Sequence, residues 1–459
     1  MDGADGVSDA SDGGVTRGPD QSAELLAFVV ELGAAMNTTG EPVYVVQERL
    51  AEVSRAYGVH TATVSAFPTY LLVTMGRGEP AAIQMTSTLT SSPRLDQVAA
   101  LDRLLRLAEQ GAIRPAEGLR RLEEIRSLRP RFGRLRSIAG YSVLATGICL
   151  VLHPAPLEVA AAAVFGGLVG LLRAVVHRQP TLQVLTPVIA AFAVSALSAL
   201  AVKEEISDLG MRPMVASLVI FLPGAALTTA VLELAAGQMI SGASRLVSGG
   251  VQLALLAFGI LAGIEAVGIP RSRVLFGTEA LLSEWSRWVG VVVFAAGVVV
   301  ADSAPPRSFP SLLVVLYAAW GSQVVANGVL GGYVAALIGA TVMTLTAFVA
   351  ERLPSAMPAR ASFLPGFWLL VPGSLGLIGL TRLAGGGGGQ EVLATVGSIF
   401  AVALGVLCGT QLLTWAIVTG RIIDRASGTI ADRTPWRRRL RGRDADPPDP
   451  DTPPDHPSP

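Results

Sequence analysis

An apolar stretch interrupted by Pro-Gly occurs twice in this chain, and the second copy constrains the fold more than any other feature. The first runs from Leu218 to Leu234 (LVIFLPGAALTTAVLEL), and from Leu369 the sequence reads LLVPGSLGLIGLTRLA, so Pro223-Gly224 and Pro372-Gly373 stand 149 positions apart. LALLAFGILAG, ending at Gly263, is answered by AVALGVLCG, ending at Gly409. A unit repeated within one chain implies two related halves. In membrane transport proteins, a helix interrupted at the same place in each half points to a binding site.

The chain is built for a membrane. With 51% hydrophobic and 15% charged residues and a mean hydropathy of +0.54, it is too apolar for an ordinary soluble domain. Net charge is zero, though Arg runs flank the apolar block and acidic residues lie at the extreme termini, and nucleic acid is not an expected partner. Cys149 and Cys408 lie in apolar segments and read as packing residues. His60, His153, His177 and His456 show no ligand spacing, so neither a metal nor another cofactor is expected. Lys203 is the only lysine, as suits a GC-rich bacterial source.

Residues 1–20 are Gly, Asp and Ser with little to bury and are expected to be disordered; they contain no apolar core of a signal peptide. Residues 21–133 read as a small cytoplasmic α+β domain. Leu25, Phe28, Val29 and Leu32 share one helical face, as do Val43, Val46, Leu50 and Val53. Three short β-branched segments punctuated by Pro68 and Gly76 to Gly78 predict a meander, and two amphipathic helices follow, the second opening at Pro115. Glu24, Glu31, Glu41, Glu48 and Glu52 are assigned to the first two helices. With no nucleophile or metal ligand beside them, Glu48 and Glu52 read as a solvated face rather than an acid/base pair.

Arg129, Arg131, Arg134 and Arg136 directly precede the first long apolar segment and hold the N-terminal domain in the cytoplasm by the positive-inside rule. The apolar block then divides into ten candidate spans: 138–153, 156–176, 182–202, 212–235, 245–269, 287–302, 308–326, 331–350, 362–384 and 391–419. An even number returns the Arg-rich segment after Arg421 to the cytoplasm, followed by a Pro/Asp-rich tail, so 420–459 is a cytoplasmic tail. The short loops carry as many basic residues on one side as on the other, and orientation rests on the flanks. The expected fold is a polytopic α-helical membrane protein of about ten spans. If the fourth and ninth spans correspond, the halves, 138–270 and 287–419, are offset by five spans, an odd number, and form inverted five-helix repeats.

Pro removes a backbone donor and Gly relaxes the helix further, so both Pro-Gly pairs should break or kink their helices. The freed carbonyl and amide groups must face protein or water. Pro223, Gly224, Thr228, Thr229, Pro372, Gly373 and Ser374 are therefore the candidate substrate-binding residues. Glu233, an ionisable group within a span, is the candidate for proton or cation coupling; its other reading is an interfacial carboxylate paired with Arg245. Gln252, Gln323, Asn327 and Gln411 are further polar groups inside spans.

These residues resemble the threonine/serine exporter family. The resemblance runs from about Glu24 to Thr419 and is most specific in PGAALTTAVLELAAGQMISGASRL, Pro223 to Leu246, with support from Gly40 to Leu50, Tyr57 to Val59 and Val371 to Ser374. Leu232 and Glu233 stand where the family pattern has Arg-Asp. The resemblance implies a multi-pass protein of the bacterial inner membrane that exports small hydroxy amino acids by antiport, driven by the proton motive force. Its partners are then an amino acid or dicarboxylate substrate, protons or another cation, and lipid; a homo-oligomer is compatible with it. Two alternatives stand beside this: an exporter of succinate-like dicarboxylates with the same architecture, and a membrane-anchored sensor or enzyme acting through its N-terminal domain.

Overall fold

The computed structural model describes residues 19–75, 82–87, 93–176, 180–206, 209–275, 282–353, 356–370, 377–382 and 390–432. Residues 1–409 form one compact unit and 410–459 another, whose described part is the far end of a long helix, Gln390–Asp432.

The first elements are α1 (Pro19–Thr38), α2 (Val43–Ala56), strands β1 (Thr63–Ala66), β2 (Tyr70–Met75) and β3 (Ala82–Ser87), then α3 (Leu95–Glu109) and α4 (Pro115–Arg126). The strands form an antiparallel meander in the order β1-β2-β3, and β2 turns Leu71, Val73 and Met75 inward. The apolar faces read from the sequence meet there: Leu25, Phe28, Val29 and Leu32 of α1 and Val43, Val46, Leu50 and Val53 of α2 are buried in a core separate from that of the apolar helices. Gly118 of α4 lies so close to the Phe28 ring that a side chain would overlap it. Gly111, at φ +64°, turns the chain out of α3 in the left-handed conformation that glycine adopts freely. Glu48 and Glu52 are exposed. Glu41, assigned from the sequence to the opening helices, instead sits in the connection Gly40 to Pro42, because Pro42 has extended backbone and α2 starts only at Val43.

Each of the ten apolar segments carries helix: α5 (Arg134–Val151), α6 (Pro156–Val176), α7 (Pro180–Gln183) with α8 (Thr186–Lys203), α9 (Met211–Leu218) with α10 (Gly224–Ala235), α11 (Met239–Val267), α12 (Ser272–Leu275) before α13 (Trp285–Ala301), α14 (Phe309–Leu330), α15 (Gly332–Ala350), α16 (Ala359–Leu370) and the helix Gln390–Asp432. Among the described residues, six helices are long and apolar enough to cross a membrane, and the bent pair α9–α10 makes a seventh. The other three segments fall outside that count for identifiable reasons. α5 spends its first turn on Arg134 and Arg136, α13 has 17 residues, and the segment that begins with α16 continues into residues outside those described.

α5 and α13 run antiparallel in close contact through four glycines. A Cβ added at Gly140 would lie 2.5 Å from the Ala301 nitrogen, one at Gly147 2.5 Å from Phe294 Cα, one at Gly290 2.9 Å from the Gly147 oxygen, and one at Gly297 2.5 Å from Leu144 Cα. Gly140 and Gly147 stand 150 positions before Gly290 and Gly297 respectively. A second pair of contacts shares a pattern: Gly259 and Gly263 of α11 lie against Ala191, Phe192 and Ser195 of α8, while Gly405 and Gly409 lie against Leu337, Thr341 and Thr344 of α15. In lipid, such small-residue contacts let backbones approach and associate through packing.

Replacing Gly147 by Ala should therefore separate α5 from α13 and lower the thermal unfolding midpoint of the purified protein, a cost of about 1–3 kcal/mol or more. Gly250→Ala, at a position where the added methyl meets no atom within 4 Å, should leave the midpoint unchanged.

Candidate functional site

The expected break at Pro223-Gly224 is present. α9 gives way to a 3-10 turn at Val219–Phe221, Leu222 is extended at φ −69° and ψ 127°, and α10 restarts at Gly224, the two helices being bent by 56°. An extended residue inside a span frees backbone groups that lipid cannot satisfy. The Phe221 carbonyl is met by the side-chain amide of Gln252 from α11, which donates at 2.6 Å. In the later segment Gln323 of α14 donates to the Leu370 carbonyl at 3.5 Å, and Leu370 lies 149 positions after Phe221. Two glutamines, noted in the sequence only as polar groups inside spans, thus hold corresponding carbonyls ahead of the two Pro-Gly pairs. Pro372, Gly373 and Ser374 lie outside the described residues.

Pro223 and Gly224 open α10, and Thr228 and Thr229 follow on its next turn, both buried. Among the described residues the Thr228 hydroxyl has no hydrogen-bond partner, which leaves a donor and an acceptor one turn beyond a helix N-terminus. Gly249 of α11 lies against Pro223 and Leu227, bringing α11 close to the break. A helix N-terminus with a free hydroxyl suits the carboxylate and hydroxyl of a small polar molecule.

Glu233 does not converge on the break. Nine residues beyond Gly224, it is about 13 Å further along the helix axis, near the end of α10. There its side chain is fully buried. One carboxylate oxygen accepts from Arg245 Nε at 3.1 Å and from the Val43 amide of α2 at 3.0 Å. Arg245 also donates to the Glu41 carbonyl at 3.3 Å. The Arg245 pairing that was one of two sequence readings of this carboxylate is thus joined by a contact that the sequence did not reveal, with the N-terminal elements.

That contact extends to the later helices. The Glu41 carboxylate pairs closely with Arg360 at the start of α16, and Arg106 of α3 meets Glu351 at the end of α15 at 2.5 Å. Burial pushes the Glu41 carboxyl up, and Arg360 and Arg49 offset this only in part. Burial does the same at Asp102, against Arg106 and Arg49. At these two carboxylates the attraction of the arginines therefore falls short of the cost of removing the charge from water.

At the other ends of the helices, Glu158 near the start of α6 is almost fully buried. It accepts from the Ala155 amide at 2.8 Å, from the Gly210 amide at 3.3 Å and from Arg212 at 3.1 Å.

Comparison with known proteins adds one match. The model of the family ThrE, described as "Putative threonine/serine exporter", matches residues 27–267, just over half of the chain, which takes in the N-terminal elements and the helices through α11. No curated protein and no solved structure matches.

Removing Arg245 would leave Glu233 buried and without its cation, a loss of about 3–5 kcal/mol, whereas Glu233→Gln keeps an acceptor for Val43. Arg245→Ala should accordingly lower the unfolding midpoint further than Glu233→Gln, measured on both variants in the same detergent.

Proposed function

Because the chain belongs to the threonine/serine exporter family, we propose that this multi-pass membrane protein exports threonine and serine across the bacterial inner membrane, driven by the proton motive force. The observation that carries the reading is the broken helix at Pro223-Gly224, where among the described residues the Thr228 hydroxyl is unpartnered and no side chain caps the start of α10. The substrate carboxylate would bind the amides at the start of α10, with the substrate's own hydroxyl toward Thr228 and Thr229. Pro372, Gly373 and Ser374 would complete the site from the later half.

The architecture we propose is ten spans in two inverted halves, with both termini in the cytoplasm. Two observations support it. The four α5–α13 glycine contacts fall at positions related by a constant offset of 150 on two antiparallel helices, as a pseudo-two-fold relation between halves would give. The contacts between helix ends also agree with ten alternating spans. Glu233, Arg245, Glu351 and Arg360 would all lie on the side of the N-terminal domain. Lys203 with the Val267 carbonyl, His153 with Arg287, and Glu158 with Arg212 would all lie on the other.

Coupling is proposed at Glu233. Protonation would remove the charge that holds Arg245 and weaken its hold on Val43, so proton binding would loosen the end of α10 and its junction with the N-terminal domain. Such a step gives alternating access a chemical trigger.

Cells loaded with a threonine dipeptide and expressing the protein should release labelled threonine faster than vector controls, and an uncoupler should abolish the difference. Thr228→Val should slow export about tenfold at equal protein in the membrane, the loss of one hydrogen bond of roughly 1.4 kcal/mol, and Glu233→Gln should lose the response to the uncoupler. Release no faster than vector would overturn the assignment of threonine.

A further inference from the structure

The two halves neutralise corresponding arginines in different ways. Arg212 stands eleven residues before Pro223 and Arg360 twelve before Pro372, each in the first turn of the helix that leads to a Pro-Gly pair. Arg212 is paired with Glu158, held by two backbone amides of its own half. The position that answers Glu158 is Ser308. The loops before α6 and α14 correspond residue by residue at an offset of 150. His153 and Ser303 both take positive φ, 61° and 54°, Pro156 answers Pro306, and the amides of Glu158 and Ser308 donate to the carbonyls of Ala155 and Pro305. Ser308 turns its hydroxyl back to the Pro305 carbonyl at 2.6 Å. The second half has no carboxylate there, and Arg360 takes its counter-ion from Glu41.

We propose that the N-terminal domain is a releasable latch on the second half, with Glu41 supplying to Arg360 the carboxylate that Ser308 does not. The latch is separable because the domain has its own core and is joined to α5 by a mostly exposed segment, 127–133. Its position joins the halves: the Glu41 side chain holds α16, while its carbonyl and the next but one residue, Val43, hold Arg245 and Glu233. Movement of one half against the other must therefore break the attachments on one side; on the second half these are the Glu41–Arg360 and Arg106–Glu351 pairs, of which Glu351 is braced by the Ala359 amide and Glu41 by no backbone amide among the described contacts. Docked, the domain covers the start of α16 and holds the halves in a single arrangement. Released, it bares the guanidinium of Arg360, toward which a substrate carboxylate would be drawn, while Arg245 loses the Glu41 carbonyl but keeps Glu233.

The gating role rests on the export reading, so the test has one arm independent of transport. Thr39 and Pro358 line the same small pocket as Glu41 and Arg360. Thr39→Cys with Pro358→Cys, in a chain whose Cys149 and Cys408 are replaced by Ala, should be joined readily in isolated membranes by a short cleavable thiol cross-linker. Adding Glu41→Arg should lower the cross-linking rate at least threefold, and Glu41→Arg with Arg360→Glu should restore it. An unchanged rate in Glu41→Arg, with the protein present in the membrane in normal amount, would overturn the latch, as would a swap that fails to restore it. In the second arm, cross-linked protein should export threonine at a tenth or less of the uncrosslinked rate and recover when the linker is cleaved. Full export while cross-linked would also overturn the latch. If no form, including the wild type, exports threonine while the cross-linking pattern holds, the substrate assignment fails and the latch stands.

Discussion

The arrangement depends first on the antiparallel contact between α5 and α13. Two helices without a hydrophobic incentive to associate in lipid are held by backbone proximity, and that proximity exists because glycines recur at a spacing of seven on each. Every other packing relation is added around it: α6 against α5, α8 against α11, α15 against the helix Gln390–Asp432. Gly259 and Gly263, which serve the second of these contacts, stand 146 positions before Gly405 and Gly409, which serve the third. The fold is thus a set of small-residue seams, in which Ser195 and Thr341 also reach the Gly259 and Gly405 carbonyls across the contact, and its charged pairs stand at the helix ends.

The break at Pro223-Gly224 has a cost that the chain settles locally. A residue in extended conformation within a span leaves a carbonyl exposed to a medium with no donors, and here glutamine side chains from neighbouring helices provide them. Gln252 and Gln323 approach from different helices, yet they meet carbonyls 149 positions apart. This satisfies the Phe221 carbonyl, and on the proposed account the amides at the start of α10, with Thr228, meet the ligand. On the proposed account the site is a helix N-terminus kept available because its opposite polarity has been neutralised by protein.

Much of this was legible in the sequence. The Pro-Gly pair at Pro223 predicted the break because proline's missing donor acts at its own position, and the helical faces of α1 and α2 followed from local spacing. Glu41 was not legible. Its partners are Arg360, 319 positions away, and the surroundings of Glu233, and nothing in the local pattern Gly-Glu-Pro announces either. The roles of Gln252 and Gln323 were hidden for the same reason, since a polar side chain in a span says that it needs a partner without saying which. Among the described residues six or seven helices have the length and apolarity of a span, because α5 carries Arg134 and Arg136 in its first turn, α13 has 17 residues, and the segment of α16 continues into residues outside those described. The sequence resemblance extended over both halves, whereas the family match ends at Val267; the later half enters the account through its internal correspondence with the first.

The inverted relation between the halves is the central claim, and labelling from one side of the membrane tests it most directly. Glu204, just past the end of α8, and Arg352, just past the end of α15, are both exposed and occupy corresponding places. Single cysteines at these positions, in a chain whose Cys149 and Cys408 are replaced by Ala, would be treated with an impermeant maleimide in intact cells and again after the membrane is opened. The account predicts that Glu204→Cys reacts in intact cells and Arg352→Cys only after opening. Reaction of both from the same side would contradict it.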